Sequence, residues 1–174
     1  MPIFALKNLL KKGVAQLSTP KKNGTKLISD NRRARHEYHF LENFEAGIEI
    51  KGTEVKSLRV GKANLQDAFC KVENGEMFVM NMHISPYELG NRFNHEPKRP
   101  RRLLLHKAEI RRIYARVREK GLTVIPVKLY FSGQRAKLEI ALAQGKKLYD
   151  KREDLIAKTA KREVEREFKE RGRG

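Results

Sequence analysis

Residues 67–84, DAFCKVENGEMFVMNMHI, set an Asn-Gly pair between two strand-like runs. Asn74 and Gly75 supply the positive φ angles of a type I′ turn, so this segment reads as a tight β-hairpin. A second hairpin follows in TVIPVKLYFSGQRAKLEIALA, two strand-like runs around a Ser132-Gly133 turn, with Pro126 at an edge position or a bulge. Between them, LLLHKAEIRRIYARVREKG reads as a helix. Leu103, Ile110, Ile113, Tyr114 and Val117 recur at helical spacing, and Gly121 stands where a helix-ending glycine belongs. Upstream, Ile48, Ile50, Val55 and Leu58 suggest one long strand that bends at its glycines. The order is therefore four or more short strands, one helix, then two strands. Small antiparallel structures lose their exposed edges by closing into a barrel, whose open end a helix can plug. The expected fold is mainly β: an OB-like antiparallel β-barrel with a packed α-helix, flanked by a flexible basic N-terminal arm and a C-terminal tail. Such barrels bind nucleic acids on their curved face.

Charge points the same way. The chain carries 39 Lys plus Arg against 21 Asp plus Glu, net +18 in 174 residues. Residues 1–36 hold +8 of it and residues 145–174 hold +4. Self-repulsion on this scale favours a polyanionic partner. The single cysteine, Cys70, excludes an internal disulfide and suits a reducing cytosol. No apolar run reaches the ~18 residues of a membrane span, so no membrane role is expected. The lysines of MPIFALKNLLKKGVAQLSTPKKNGTK break its apolar runs and argue against a secretory signal. A basic arm lying on RNA phosphates, with FALKNLLKKGVAQL forming a short amphipathic helix on contact, is the simpler reading than an organelle transit peptide.

No catalytic constellation stands out. The five histidines lack metal-ligand spacing, Cys70 reads as a buried strand residue, and Glu42, Glu45, Glu49 and Glu54 read as a charged solvent face rather than a two-metal site. No cofactor is expected. The binding signals are stronger. NRRARHEYHF clusters Arg32, Arg33, Arg35 and His36 beside Tyr38 and Phe40, and cations with aromatics suit phosphates and unpaired bases. A solvated strand start with a core tyrosine would look similar. GNRFNHEPKRPRR reads as a phosphate-clamping basic loop, or as a surface loop whose charges do nothing specific.

The stretches NRRARHEYHF, FEAGIEIKGTEVKSLRVGKANLQDAF, HEPKRPRRLLLHKAEI, GLTVIPVKLYF and GKKLYDKRE occur in this order over residues 31–153. Together they resemble the small protein B (SmpB) family. The resemblance implies an OB-like barrel that holds the tRNA-like domain of transfer-messenger RNA and carries it to the A site of ribosomes stalled on a broken message. It implies a cytoplasmic RNA-binding factor that is not an enzyme. Its implied partners are transfer-messenger RNA and the ribosome with its small-subunit RNA; elongation factor Tu with GTP and alanyl-tRNA synthetase act on the same RNA. Carried over residue by residue, Glu45, Leu104 and Lys137 align with positions that bind the tRNA-like domain, and Arg35, His36 and Tyr38 join them by the same alignment. Leu104 fits a core position equally well.

Three parts are expected: an arm over 1–30, the barrel over 31–144 and a tail over 145–174. By resemblance, Gly145, Lys146, Lys147, Tyr149, Asp150, Lys151 and Arg152 probe the decoding centre, and the tail enters the empty mRNA channel. Ile156, Ala160, Val164 and Phe168 make a thin stripe at four-residue spacing. So narrow a stripe suits a tail that is disordered when free and becomes helical on the ribosome better than a helix docked on the barrel. Tyr149 stands where a histidine also occurs in the family, which keeps a stacking role and removes a protonation role.

Overall fold

The computed structural model describes residues 24–171. The arm over residues 1–23, with its expected amphipathic helix, lies outside the described residues. In chain order the elements are β1 (Thr25–Asp30), α1 (Arg32–Glu37), β2 (Tyr38–Ile48), α2 (Gly52–Arg59), β3 (Ala63–Asn64), β4 (Phe69–Glu73), β5 (Glu76–Met80), β6 (His83–Ile84), a 3-10 segment (Glu88–Phe93), β7 (Arg101–Leu104), α3 (Lys107–Lys120), β8 (Thr123–Ser132), β9 (Arg135–Gly145) and α4 (Leu148–Arg171).

The strands run β8-β4-β5-β7-β2-β9, and β9 returns to β8, so the sheet closes on itself as an antiparallel barrel. Strand β1 joins from outside. One edge of β8 serves two neighbours, β1 along Lys128–Ser132 and β4 at Val124. The sheet thus begins at Thr25, earlier than the expected boundary at residue 31. Both hairpins form as the sequence indicates. Asn74 and Gly75 take φ values of 51° and 76°, and the β8–β9 register shifts between Pro126 and Lys128.

Alternation fills the barrel: Leu129, Phe131, Leu138, Ile140 and Leu142 point inward to meet Ala46, Met77, Val79 and Leu103. Helix α3 packs Ile110 and Ile113 into the same core. It starts later than its apolar spacing suggests. Leu103 and Leu104 belong to β7, because Glu109, accepting from the His106 N–H at 2.9 Å, fixes the first turn at Lys107.

Two further helices replace expected strand. NRRARHE opens with α1, not with a strand. Asn31 is the reason: its Oδ1 accepts from the Ala34 N–H, and its Nδ2 donates to the carbonyls of Leu65 and Pro126. Ala34 then covers Ile125 and Ala143 on the outer barrel surface, with Tyr38 and Phe40 packed alongside. The long bending strand likewise ends at Ile48. The Lys51 N–H donates to the Glu54 carboxylate at 2.8 Å, starting α2, which buries Glu54, Ser57 and Leu58 at helical spacing.

Candidate nucleic-acid interface

Strand register brings three of the expected contact residues together. Leu104 on β7 faces Gly47 on β2, Gly47 faces Lys137 on β9, and Lys137 faces Tyr130 on β8. These four form one row across four strands. Leu104 is 53% exposed while its neighbour Leu103 is buried. Strand alternation therefore answers the open question about Leu104: it lies on the outer face. Gly47 packs closely on its neighbour: a Cβ there would stand 3.2 Å from the Leu104 Cβ, so Leu104 would have to give by a few tenths of an ångström. Glu45 lies two residues back on the same face of β2. Its carboxylate accepts from both the Lys137 ammonium and the Tyr130 hydroxyl. The Lys137 hydrogen bond, followed by that of Tyr130, holds the Glu45 carboxyl below its ordinary pKa. Burial and then Glu45 push the Tyr130 phenol up.

Tyr130 escaped the sequence reading, although its signal was present. Alternation in PVKLYFS puts Lys128, Tyr130 and Ser132 on one face, and in RAKLEI it puts Lys137 and Glu139 on one face. Lys128 pairs with Glu139 at 3.2 Å, and Asn43 donates to Glu139 at 3.0 Å.

Arg35, His36 and Tyr38 do not join this row. Glu45 stands seven positions beyond Tyr38 on β2, roughly 23 Å along a strand. Arg35 pairs with Asp30 at 2.9 Å, His36 is exposed on α1, and Tyr38 is half-buried against α1's small cluster. This group adjoins the base of the tail instead. The Lys146 N–H donates to the Glu37 carbonyl and its Nζ to the Arg35 carbonyl. Gly145 ends β9 opposite Tyr38, and a Cβ there would meet nothing within 4 Å. The Lys147 N–H donates to Asp150 at 3.0 Å, and His39 lies 3.7 Å from the same carboxylate. Tyr149 points outward at 69% exposed, Lys151 is half-buried and Arg152 is exposed. Along α4, Ile156, Val164 and Phe168 are exposed, so the expected stripe faces solvent and not the barrel.

The basic loop is not a clamp as a whole. Arg101 is 0% exposed and Arg99 turns inward beside it; both bind Glu54, at 2.7 and 2.6 Å. Arg101 also donates to the carbonyls of Met82, Arg99 and Pro97. Arg102 pairs with Glu49 and Glu76. The four expected surface carboxylates are thus spread over separate ion pairs, Glu42 with Arg112 and Arg116, and Glu45, Glu49 and Glu54 as above. Burial pushes the Cys70 thiol up, as befits a core residue.

A closed OB-like barrel with a polar, cation-bearing outer row defines the class of oligonucleotide-binding barrels. The sequence pattern of the SmpB protein family matches residues 28–170. The chain belongs to the SmpB family. It is 66% identical over 149 residues to the SsrA-binding protein of Desulforamulus reducens, covering 85% of this chain and 92% of that one. It is 64% identical over 148 residues to the SsrA-binding protein of Pelotomaculum thermopropionicum, covering 85% and 97%. A solved chain described as "tmRNA-SmpB: a journey to the center of the bacterial ribosome" superposes with a TM-score of 0.61 at 48% identity, covering 74% of this chain and 94% of that chain.

Proposed function

We propose that this chain is a cytoplasmic RNA-binding factor of trans-translation and not itself an enzyme. It binds the tRNA-like domain of transfer-messenger RNA and brings it to the A site of ribosomes stalled without an intact message. The observation that carries this reading is the row Leu104–Gly47–Lys137–Tyr130 with Glu45 beside it, in a chain 66% identical to an SsrA-binding protein. Lys137 answers a phosphate, Glu45 holds its ammonium in place, and Leu104 offers an apolar edge to a sugar or base. Elongation factor Tu with GTP and alanyl-tRNA synthetase act on the same RNA.

A second group lies at the base of the tail. Arg35, His36 and Tyr38 add contacts to the tRNA-like domain where the tail leaves the barrel, and Gly145, Lys146, Lys147, Tyr149, Asp150, Lys151 and Arg152 probe the decoding centre. Ile156, Val164 and Phe168 of α4 face solvent, which leaves this face of the tail open to dock against ribosomal RNA lining the empty mRNA channel.

The test is binding of the full chain, and of a version ending at Lys147, to the tRNA-like domain and to an ordinary elongator tRNA across a salt series. Both versions should prefer the tRNA-like domain, the tail adding little beyond salt-sensitive affinity. A full chain that prefers neither RNA sinks the reading. Preference confined to the full chain would make the tail part of the RNA site.

A further inference from the structure

The segment between β6 and β7 is rigidly built yet shows its largest apolar side chains to solvent. Asn94 staples it: its Oδ1 accepts from the Tyr87 N–H, and its Nδ2 donates to the carbonyls of Tyr87 and Asn91. Thr53 of α2 donates to the Phe93 carbonyl, and the Pro97 carbonyl accepts from Ile84 and from buried Arg101. Gly90 packs so closely that a Cβ would lie 2.6 Å from the Asn94 Oδ1. Asn91 is held at φ 40°, ψ −127°, a strained conformation that persists only where its surroundings over-determine it. On this frame Leu89 is 84% and Phe93 66% exposed.

The charge around these side chains selects the occupant. The Arg92 guanidinium lies 5.3 Å from the Phe93 ring centroid, and the Lys56 ammonium 5.2 Å from that of Tyr87. Within residues 87–94 the one carboxylate, Glu88, is already paired with Lys62, and Glu96 beyond them stands among the cations Arg92, Lys98 and Arg99 of the same connection. A partner must therefore be anionic and also present a flat apolar surface. Unpaired nucleotides do both, and exposed aromatics backed by arginine are how proteins stack them.

We propose that residues 87–94 form a preorganised base-stacking platform, on which Phe93, backed by Arg92, receives an unpaired base of bound RNA while Leu89 covers its edge. The inference rests on the RNA-binding reading above and adds a contact distinct from the Lys137 row. The base belongs either to the transfer-messenger RNA or to ribosomal RNA, and the test separates the two.

The chain has no tryptophan, so Phe93→Trp in the full chain gives a single reporter. Its emission is followed on adding the isolated tRNA-like domain in one arm and small ribosomal subunits in the other, with binding measured separately by filter retention. Stacking on a base quenches the tryptophan in at least one arm. In that arm Phe93→Ala weakens binding by roughly tenfold and Phe93→Tyr restores it. Quenching by the tRNA-like domain assigns the base to transfer-messenger RNA; quenching by subunits alone assigns it to ribosomal RNA. Retention without quenching, with Phe93→Ala binding as tightly as the wild type, overturns the platform and leaves the RNA-binding reading intact. A blue shift without quenching on subunits also overturns it, since Phe93 would then meet protein. Loss of retention in both arms for the wild type itself overturns the reading and the platform together.

Discussion

Lys137 carries the proposed RNA contact, and its pairing with Glu45 shapes what a substitution does. The ionised Glu45 carboxylate accepts from Lys137 and Tyr130, hydrogen bonds that lower its pKa below the ordinary value, so the lysine is oriented before RNA arrives. Lys137→Ala should weaken binding and reduce the slope of log affinity against log salt by about 0.9, the share of one phosphate contact. Glu45→Gln should act differently. Without its carboxylate anchor the ammonium swings freely, so affinity for an elongator tRNA should rise while preference for the tRNA-like domain falls. Paired titrations with the two RNAs at one salt concentration check both.

At the scale of the element, the bond between α2 and β7 decides whether the loop before β7 has a fixed shape. Burial favours the neutral form of Glu54, but the hydrogen bonds from Arg99, Lys51 and Arg101 outweigh it and leave its pKa below the ordinary value. A carboxyl depressed on folding contributes its stability above its unfolded value, near 4.5, and loses it as pH falls through the lower folded value. Wild-type stability should therefore drop on its acid limb. Glu54→Gln leaves the Arg101 guanidinium buried without its counter-charge and should cost about 3–5 kcal/mol at pH 7. Its acid limb should be shallower than the wild type's. Urea denaturation of both proteins at pH 7 and pH 3 tests the magnitude and the sign.

For the molecule as a whole, the barrel carries the stability and α4 does not. Leu138 is fully buried among strands from both sides of the ring. Leu138→Ala should cost about 2–5 kcal/mol, the transfer term plus the cavity it leaves. Ile156 on α4 is exposed, so Ile156→Ser should change barrel unfolding by less than about 0.5 kcal/mol. The two midpoints in one denaturant series decide this. Equal losses would mean that the tail packs on the barrel in solution.

What the sequence determined was local: the Asn74-Gly75 hairpin, the alternation that makes β8 and β9, and the helical spacing of Ile110 and Ile113. Each depends on residues a few positions apart, where turn chemistry and side-chain period act directly. Helix α1 was hidden because its start signal, Asn31, runs directly into the strand-like EYHFLENF, and α2 because Glu54 follows Gly52, which resembles a strand bulge. Tertiary structure alone decided the rest. Arg101 reads as a surface cation until its partner Glu54, 47 residues away, is brought against it. Leu104 becomes an outward residue, and Tyr130 a neighbour of Glu45, only when barrel closure sets β7, β2, β9 and β8 in register. Register across a closed sheet is a property of four strands at once, and no window of sequence contains it.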